Sequence, residues 1–446
     1  MNPVSKKSVS YFCELPRVWV LYLYILFLLF VLVGCADDND ADAEKLRFMV
    51  FGDPAERAAY LELVDAFHQK YPGIEVQVNH IPSPRDYRTR LATEYAAGSA
   101  PDVSLMNYRR YASFAAKELL EPLGPYLAES SEIESQDFYP ATIDAFTWQG
   151  ELMCIPQNVS SLVVYYNADL FDEAGIGYPA DDWTWDQFLE TAKALTKDLD
   201  DDGTIDQYGL GLEPSLFRFA PFVWQNKGQI VDNDYAPNLL TLDQPFALEA
   251  LQWVVDLQEV HGVLPGRIEE AAIDSESRFI SGMTAMYLNS RRGTPSYREI
   301  DSFTWDIAPL PIGKTKAGIL HSDAYCLSQT SGAKEAAWKF IEFANSIKGQ
   351  TIIANSGRTV PSLTSVAEST VFLDPNMPPS RAYVFLENAP FLRRVPVIST
   401  WEEIEDIASQ ELERAFYGDV SLEEAARLAV QRTDEYFNLA RYAGQP

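Results

Sequence analysis

Strand and helix patterns alternate along the chain after residue 44. Residues 45–51 form a nearly continuous apolar run that predicts a buried strand, and apolar residues then recur at helical spacing until the Pro-Gly pair at 72–73. Further strands are predicted at 74–78 and 103–106, with a second helix between them. Alternation of this kind predicts right-handed βαβ units and a sheet that is covered by helices on both faces.

Polar side chains follow the ends of these predicted strands. Asp53 comes just after the first strand, and Asn107 and Arg109 follow the third. Ligands of such sheets bind outside the carboxyl ends of the strands. We therefore expect these three side chains at the rim of a ligand-binding cleft.

A second run of elements begins after Gly150. Residues 162–166 predict a strand, residues 184–197 predict a helix that begins with a capping box, and residues 247–260 predict an apolar helix. Single hydrophobic cores stop growing at roughly 250–300 residues, and this chain has 446. We therefore expect two lobes rather than one core.

The N-terminal residues have the layout of an export signal. Three cations precede an unbroken apolar run over residues 18–33, and Cys35 follows at a position that resembles the lipobox of bacterial lipoproteins. Residues 1–34 are thus predicted to be a lipoprotein signal peptide, Cys35 the lipidated mature N-terminus, and residues 35–44 an acidic tether. An uncleaved signal anchor is the alternative. Both interpretations place the rest of the chain outside the cytoplasm, facing the periplasm or the cell exterior.

Charge and cysteine content exclude several classes of function. The chain has 65 Asp and Glu against 35 Lys and Arg, and its formal charge of −30 repels phosphate backbones, so nucleic acid is excluded as a partner. The four cysteines lack the paired spacing of a zinc site. Cys154 and Cys326 lie in apolar stretches, where two buried free thiols are the preferred interpretation and a disulfide is the alternative.

Five segments carry a shared pattern: Lys70–Val76, Gly98–Val103, Trp148–Pro156, Tyr166–Phe171 and Gly282–Met286. Each is weak evidence alone, but together and in this order they are specific. They resemble the family 1 extracellular solute-binding proteins, the maltose-binding-protein-like receptors of carbohydrate ABC transporters. The resemblance covers nearly the whole chain after the predicted signal peptide.

The resemblance implies an α/β fold of two lobes, each a mostly parallel sheet flanked by helices. The chain is expected to cross between the lobes near Pro156, near Ala308-Pro309, and between Ala354 and Pro361. The implied division is residues 45–156 plus 309–356 for lobe one and residues 157–308 plus 357–446 for lobe two.

The resemblance also implies a function. A monomer would capture a carbohydrate by closure of its lobes and deliver it to the permease and ATPase of an ABC transporter, without catalysis and without a required cofactor. Two other interpretations stay open. One is a glycoside-cleaving enzyme, because 65 carboxylates make chance acid pairs abundant. The other is a receptor that serves a sensor.

A sugar receptor needs aromatic platforms for the ring faces and planar polar groups for the ring edges. Carried over by position, the resemblance implies these ligand-binding residues: Asp53, Asn107, Arg109, Gln157, Asn158, Phe217, Trp224, Asn289, Arg291, His321, Asp323, Arg358 and Trp401. The alternative is core packing for the aromatic residues and neutralisation of carboxylates for the arginines. Because guanidinium groups bind carboxylates bidentately, the arginines also favour a uronate-type anionic sugar as an alternative ligand.

An aspartate-rich loop has the spacing of a calcium-binding loop. Its candidate ligands, arranged around Gly203, are Asp198, Asp200, Asp202, Thr204 and Asp206. Position twelve, where a bidentate Glu is expected, is Gly209. The loop therefore predicts a weak calcium site, with a solvated acidic turn as the alternative.

Overall fold

The computed structural model describes residues 43–444. Residues 44–444 belong to one compact unit. The predicted signal peptide and Cys35 lie outside the described residues, so both stay predictions. Within residues 43–444, every helix is too short or too polar to span a bilayer.

The strands of the described residues are β1 Glu44–Phe51, β2 Ile74–Ile81, β3 Val103–Asn107, β4 Thr147–Trp148, β5 Glu151–Leu152, β6 Cys154–Pro156, β7 Val163–Asn167, β8 Tyr208–Gly211, β9 Thr284–Asn289, β10 Trp305–Ala308, β11 Gly318–Ile319, β12 Asp323–Leu327 and β13 Leu392–Arg393.

The α-helices are α1 Pro54–Lys70, α2 Pro84–Ala96, α3 Tyr108–Ala115, α4 Gly124–Glu129, α5 Pro140–Ala145, α6 Ala168–Ala174, α7 Trp185–Leu195, α8 Leu216–Gln225, α9 Pro245–Glu259, α10 Arg267–Ala272, α11 Ser275–Ile280, α12 Thr294–Tyr297, α13 Lys334–Asn345, α14 Ile347–Asn355, α15 Thr364–Ala367, α16 Tyr383–Asn388, α17 Trp401–Phe416 and α18 Leu422–Leu439.

The first sheet has five strands in the order β2-β1-β3-β12-β6. Strand β1 pairs in parallel with β2 and with β3, which confirms the βαβ units predicted from the alternation of strand and helix patterns. Strand β12 is antiparallel to both of its neighbours.

The second sheet has four strands in the order β10-β7-β9-β8. Strands β8, β9 and β10 run in one direction, and β7 is antiparallel to both of its neighbours, β10 and β9. The reason lies in the chain path. Strand β7 carries the chain into this sheet and β10 carries it out, so the two run in opposite directions.

The chain passes between the sheets at identifiable points. Strand β6 of the first sheet ends at Pro156 and the next long strand, β7, belongs to the second. Strand β10 ends at Ala308, and β12 lies again in the first sheet. Isolated bridges, Asn158 with Pro361 and Ser160 with His321, join the connecting segments to one another. The exact lobe boundaries stay predictions.

Cys154 and Cys326 form a disulfide bond between the neighbouring strands β6 and β12. The preference for two free thiols was therefore wrong. Sequence separation hid the pairing, because the two cysteines are 172 residues apart in the chain but directly opposite each other in the sheet register.

Candidate functional site

A cavity of about 800 Å³ opens at the carboxyl end of β3. The first sheet contributes the segment after β3 and the start of β12 to its wall. The segments around α8 and after β9, together with helix α17, close the opposite side. The cavity is large enough for an organic ligand of several rings, since typical ligand sites measure roughly 300–1,000 Å³.

Seven of the residues implied by the resemblance lie on the wall of this cavity: Asn107, Arg109, Asn158, Phe217, His321, Asp323 and Arg358. They come from five separate parts of the chain. Their contact with a ligand stays a prediction.

Three other predicted residues do not line the cavity: Gln157 and Asn289 are buried, and Asp53 is partly exposed. Gln157 is 1 % exposed and donates hydrogen bonds from Nε2 to the hydroxyls of Tyr60 and Tyr325. Asn289 is fully buried and donates from Nδ2 to the Tyr297 hydroxyl. Asp53 caps helix α1 by accepting a hydrogen bond from a backbone N–H. These side chains stabilise the wall because their polar groups already have protein partners.

The remaining predicted residues are held by packing. Arg291 donates from Nε to the Gly357 carbonyl at 2.7 Å and lies over the Phe372 ring. Trp224 is 2 % exposed and lies below the Arg393 guanidinium. Trp401 is 1 % exposed. Both tryptophans are therefore buried, as the core-packing alternative predicted.

Asp323 organises the floor of the cavity. Its Oδ1 accepts a hydrogen bond from Asn107 Nδ2 at 3.0 Å, and its Oδ2 accepts one from Asn158 Nδ2 at 3.2 Å. Asn107 also caps helix α3 by accepting from the backbone N–H of Arg109. Asn107, at the end of β3, and Asp323, at the start of β12, thus hold each other in place. Both polar atoms of the Asn107 amide are used, one for Asp323 and one for the N-terminus of helix α3.

Arg109 connects the two sides of the cavity. Its guanidinium lies over the Phe217 ring, with 3.7 Å between the guanidinium carbon and the ring centre, and its Nη1 is 2.5 Å from Glu405 Oε1. Arg110 Nη2 lies 3.3 Å from the same oxygen, and Trp401 Nε1 donates to Glu405 Oε2 at 2.9 Å. Burial alone raises the pKa of Glu405, but the two guanidinium groups hold it below its ordinary value.

Arg358 forms a second connection. Its Nη1 is 2.6 Å from Asp53 Oδ2, its Nε is 2.5 Å from Glu56 Oε2, and Nη1 also donates to the Arg292 carbonyl at 3.1 Å. Burial raises the pKa of Glu56 to about 8, although Arg358 opposes the shift. Gly52 has a φ of +133°, and a Cβ there would overlap the Glu56 carboxylate. Only glycine therefore leaves room for this carboxyl group.

Several hydrogen-bonding atoms of residues on the wall have no hydrogen-bond partner among the described residues. They include Arg218 Nη1, His321 Nε2, Tyr95 OH and Thr359 Oγ1, and all four are shielded from solvent. Burial and the neighbouring arginines lower the pKa of His321 well below its ordinary value, so its imidazole is neutral at pH 7. The His321 and Phe217 ring centres are 4.6 Å apart. An aromatic face and unused polar groups thus adjoin, which suits a ligand with apolar faces and polar edges.

Sequence reasoning missed Glu405 and Arg218. Glu405 lies one helical turn after Trp401, so a predicted helix at this position would have placed the two side chains next to each other. Nothing in the sequence indicated that it pairs with Arg109, since 296 residues separate them.

The aspartate-rich loop lies apart from the cavity. Asp198, Asp200 and Asp206 each place one carboxylate oxygen within 4.8 Å of the others. Asp202 Oδ1 instead accepts a hydrogen bond from the Thr204 backbone N–H. Calcium binding stays a prediction, and these three aspartates are its best-placed ligands.

Two sheets joined by a chain that crosses between them, with a ligand-sized cavity at their junction, define a two-lobed binding protein. Residues 52–351 match the family model described as "Bacterial extracellular solute-binding protein". The chain belongs to this family.

Relatives and solved structures agree with this assignment. A putative binding protein of Brucella abortus is 26 % identical over 403 residues, which cover 88 % of this chain and 94 % of that protein. An arabinooligosaccharide-binding protein of Bacillus subtilis is 25 % identical over 189 residues, 41 % of this chain and 43 % of that protein. The structure of an ABC substrate-binding protein of Listeria monocytogenes in complex with cycloalternan is 26 % identical, with a TM-score of 0.82 over 89 % of this chain and 100 % of that one. Maltose-bound MalE3 of T. maritima, 24 % identical, shares the fold with a TM-score of 0.74 over 88 % of this chain and 100 % of that one.

Proposed function

We propose that the protein captures a neutral oligosaccharide in the cavity and presents it to the permease of an ABC transporter. The observation that carries this proposal is the Phe217 ring on the cavity wall, which is buried with one face under the Arg109 guanidinium, next to unused polar groups on His321 and Arg218. Such a site offers apolar ring surface to a sugar and hydrogen bonds to its hydroxyls. The names of relatives that bind arabinooligosaccharide and cycloalternan support the same ligand class.

The charge of the site favours a neutral sugar over a uronate. Arg109 and Arg110 share Glu405, and Arg358 pairs with Asp53. An anionic ligand would have to displace these carboxylates from their guanidinium partners. The uronate alternative assumed that these arginines are free to bind an anionic ligand. Because they are paired with carboxylates of the protein, that alternative is not favoured.

Two carboxylates of the site are engaged with protein groups, which supports binding rather than glycoside cleavage. A glycosidase needs two carboxyl groups that are free to act on the scissile bond. Glu405 is paired with two arginines, and Asp323 accepts hydrogen bonds from two amides. The matched family is described by solute binding. We therefore propose a receptor without catalytic activity.

Membrane attachment and partners complete the proposal. The family description is extracellular, which agrees with the export signal predicted for residues 1–34. We propose a lipid on Cys35 as the anchor, a monomeric receptor, and an ABC permease with its ATPase as partners. Incorporation of a labelled fatty acid into the full chain, lost in Cys35→Ser, tests the anchor.

Thermal-shift measurements against a panel of neutral oligosaccharides test the proposed ligand class. A ligand that binds only the native state raises the midpoint of unfolding with the logarithm of its concentration. Phe217→Ala should lose at least tenfold in affinity, roughly 1.4 kcal/mol, for the best ligand. Phe246→Ala is the matched control, because Phe246 is 54 % exposed and lies outside the cavity. Failure of every oligosaccharide to bind, or equal loss in the two variants, would refute the proposal.

A further inference from the structure

The cavity continues beyond the polar site into a groove between helices α2 and α3. We call this groove the apolar arm. It is lined by Leu91, Ala92, Tyr95, Ala96, Phe114 and Leu119. The α2 residues recur at spacings of one, three and four and so form one stripe of that helix.

Two aromatic pairs lie along the apolar arm. Near the polar site the Phe51 and Tyr87 rings lie 5.0 Å apart between centres, and Met106 also lines the cavity there. Farther along the arm the Tyr95 and Phe114 rings meet edge to face, also with centres 5.0 Å apart, while Ala92 and Ala96 are exposed to solvent. A group held at the polar site can therefore extend along the arm.

Apart from the buried Tyr95 hydroxyl, which has no hydrogen-bond partner among the described residues, the polar side chains along the arm are engaged or lie at its rim. The Ser113 hydroxyl donates to the Arg110 carbonyl at 3.1 Å. Arg88 Nε lies 3.0 Å from a Glu402 carboxylate oxygen. Lys117 is exposed, so its ammonium group is solvated. A further sugar ring in the arm would find one free protein hydroxyl, on Tyr95, for its several hydroxyls, and any other hydroxyl that lost its water there would be unpaired, which is unfavourable.

We propose that the apolar arm receives an alkyl or aryl substituent attached to the sugar in the polar site, so that the preferred ligand is an apolar glycoside. This inference rests on the proposed function and narrows its ligand class. Two observations carry it: the continuity of the arm with the polar site, and its lining of aromatic and aliphatic side chains. Burial of apolar surface in a preformed groove supplies the affinity.

The test compares free oligosaccharides with their 4-nitrophenyl glycosides by calorimetric titration of the intact protein. The glycoside should bind about tenfold more tightly than the matching free sugar, the gain expected from burying roughly 60 Å² of apolar surface. Ala92→Trp fills the arm and should reduce this ratio to about one. Thr93→Trp, a substitution of the adjacent exposed residue outside the arm, should leave the ratio near tenfold.

The outcomes separate this inference from the proposed function. If free sugars bind and the glycosides bind no more tightly, the apolar arm is overturned while the proposed function stands. A ratio that persists in Ala92→Trp also overturns the arm, because the substituent then lies elsewhere. If only glycosides bind and Ala92→Trp abolishes their binding, the arm is supported and the proposal for free oligosaccharides fails. Absence of binding by either ligand type overturns both.

Discussion

The guanidinium of Arg109 lies 3.7 Å above the ring of Phe217. Arg109 follows a strand of the first sheet, whereas Phe217 belongs to the segment between β8 and β9 of the second. The stack therefore joins the two sides of the cavity, and Glu405 pairs with the same guanidinium. The position of Phe217, the proposed sugar contact, thus depends on Arg109 and on its partner Glu405, which lies far from Arg109 in the sequence.

Loss of the Glu405 charge should destabilise the protein. Glu405→Gln leaves Arg109 and Arg110 without their shared anion, and breaking a buried ion pair costs about 3–5 kcal/mol. Urea unfolding should show a decrease in the free energy of unfolding of that order. Glu403→Gln, at an exposed position of the same helix, should change it by less than about 0.5 kcal/mol. Equal stability of the two variants would contradict this account.

Gly52 should not tolerate a side chain. Gly52→Ala combines a φ of +133° with overlap of the new Cβ and the Glu56 carboxylate, so we expect a loss of about 2 kcal/mol or more in the free energy of unfolding. Gly73→Ala is the control, because a Cβ at Gly73 meets nothing within 4 Å. Denaturation midpoints measure both, and a tolerated Gly52→Ala would show that the Glu56 pocket is looser than described.

Glu56 should make stability depend on pH. Its pKa is raised from 4.5 to about 8 by burial, with Asp53 and Asp323 adding to the increase and Arg358 and Tyr60 opposing it. The native state therefore binds more protons than the unfolded state between these values, and its stabilisation falls as the pH rises through them. The difference in unfolding free energy between wild type and Glu56→Gln should change by up to about 1.4 kcal/mol per pH unit. A difference independent of pH from 5 to 8 would refute the shift.

The disulfide should be detectable and stabilising. Alkylation of denatured protein without reductant should leave Cys154 and Cys326 unmodified in mass spectrometry, because the two sulfurs are bonded to each other. The double variant Cys154→Ala/Cys326→Ala should lose about 2–4 kcal/mol of unfolding free energy. Two alkylated cysteines at these positions in protein from an oxidising compartment would contradict the bond.

Calcium should bind weakly at the aspartate-rich loop. Calorimetric titration of chelator-treated protein should release or absorb heat at millimolar calcium, and Asp206→Asn should abolish the signal because it removes one of three converging carboxylates. Asp201→Asn, outside that group, is the control. Absence of heat in the wild-type protein would leave the loop as a solvated acidic turn.

Local sequence determined the secondary structure around the site. The predicted helix ending at Pro72 and Gly73 and the capping box at Thr184 and Gln187 are both present, because caps and apolar periodicity act between neighbours in the chain. Placement of Asn107 at the end of β3 followed equally from local pattern and became part of the cavity wall.

Tertiary structure alone decided which charges and thiols meet. Arg109 and Glu405 are 296 residues apart, and Cys154 and Cys326 are 172 apart. Their pairing depends on strand register and on the path of the chain between the sheets, which no local pattern encodes. For the same reason, the carboxylate partners of Arg109, Arg110 and Arg358 could not be identified from the sequence. Short-range forces specified the elements of this protein, and long-range packing specified the chemistry of its cavity.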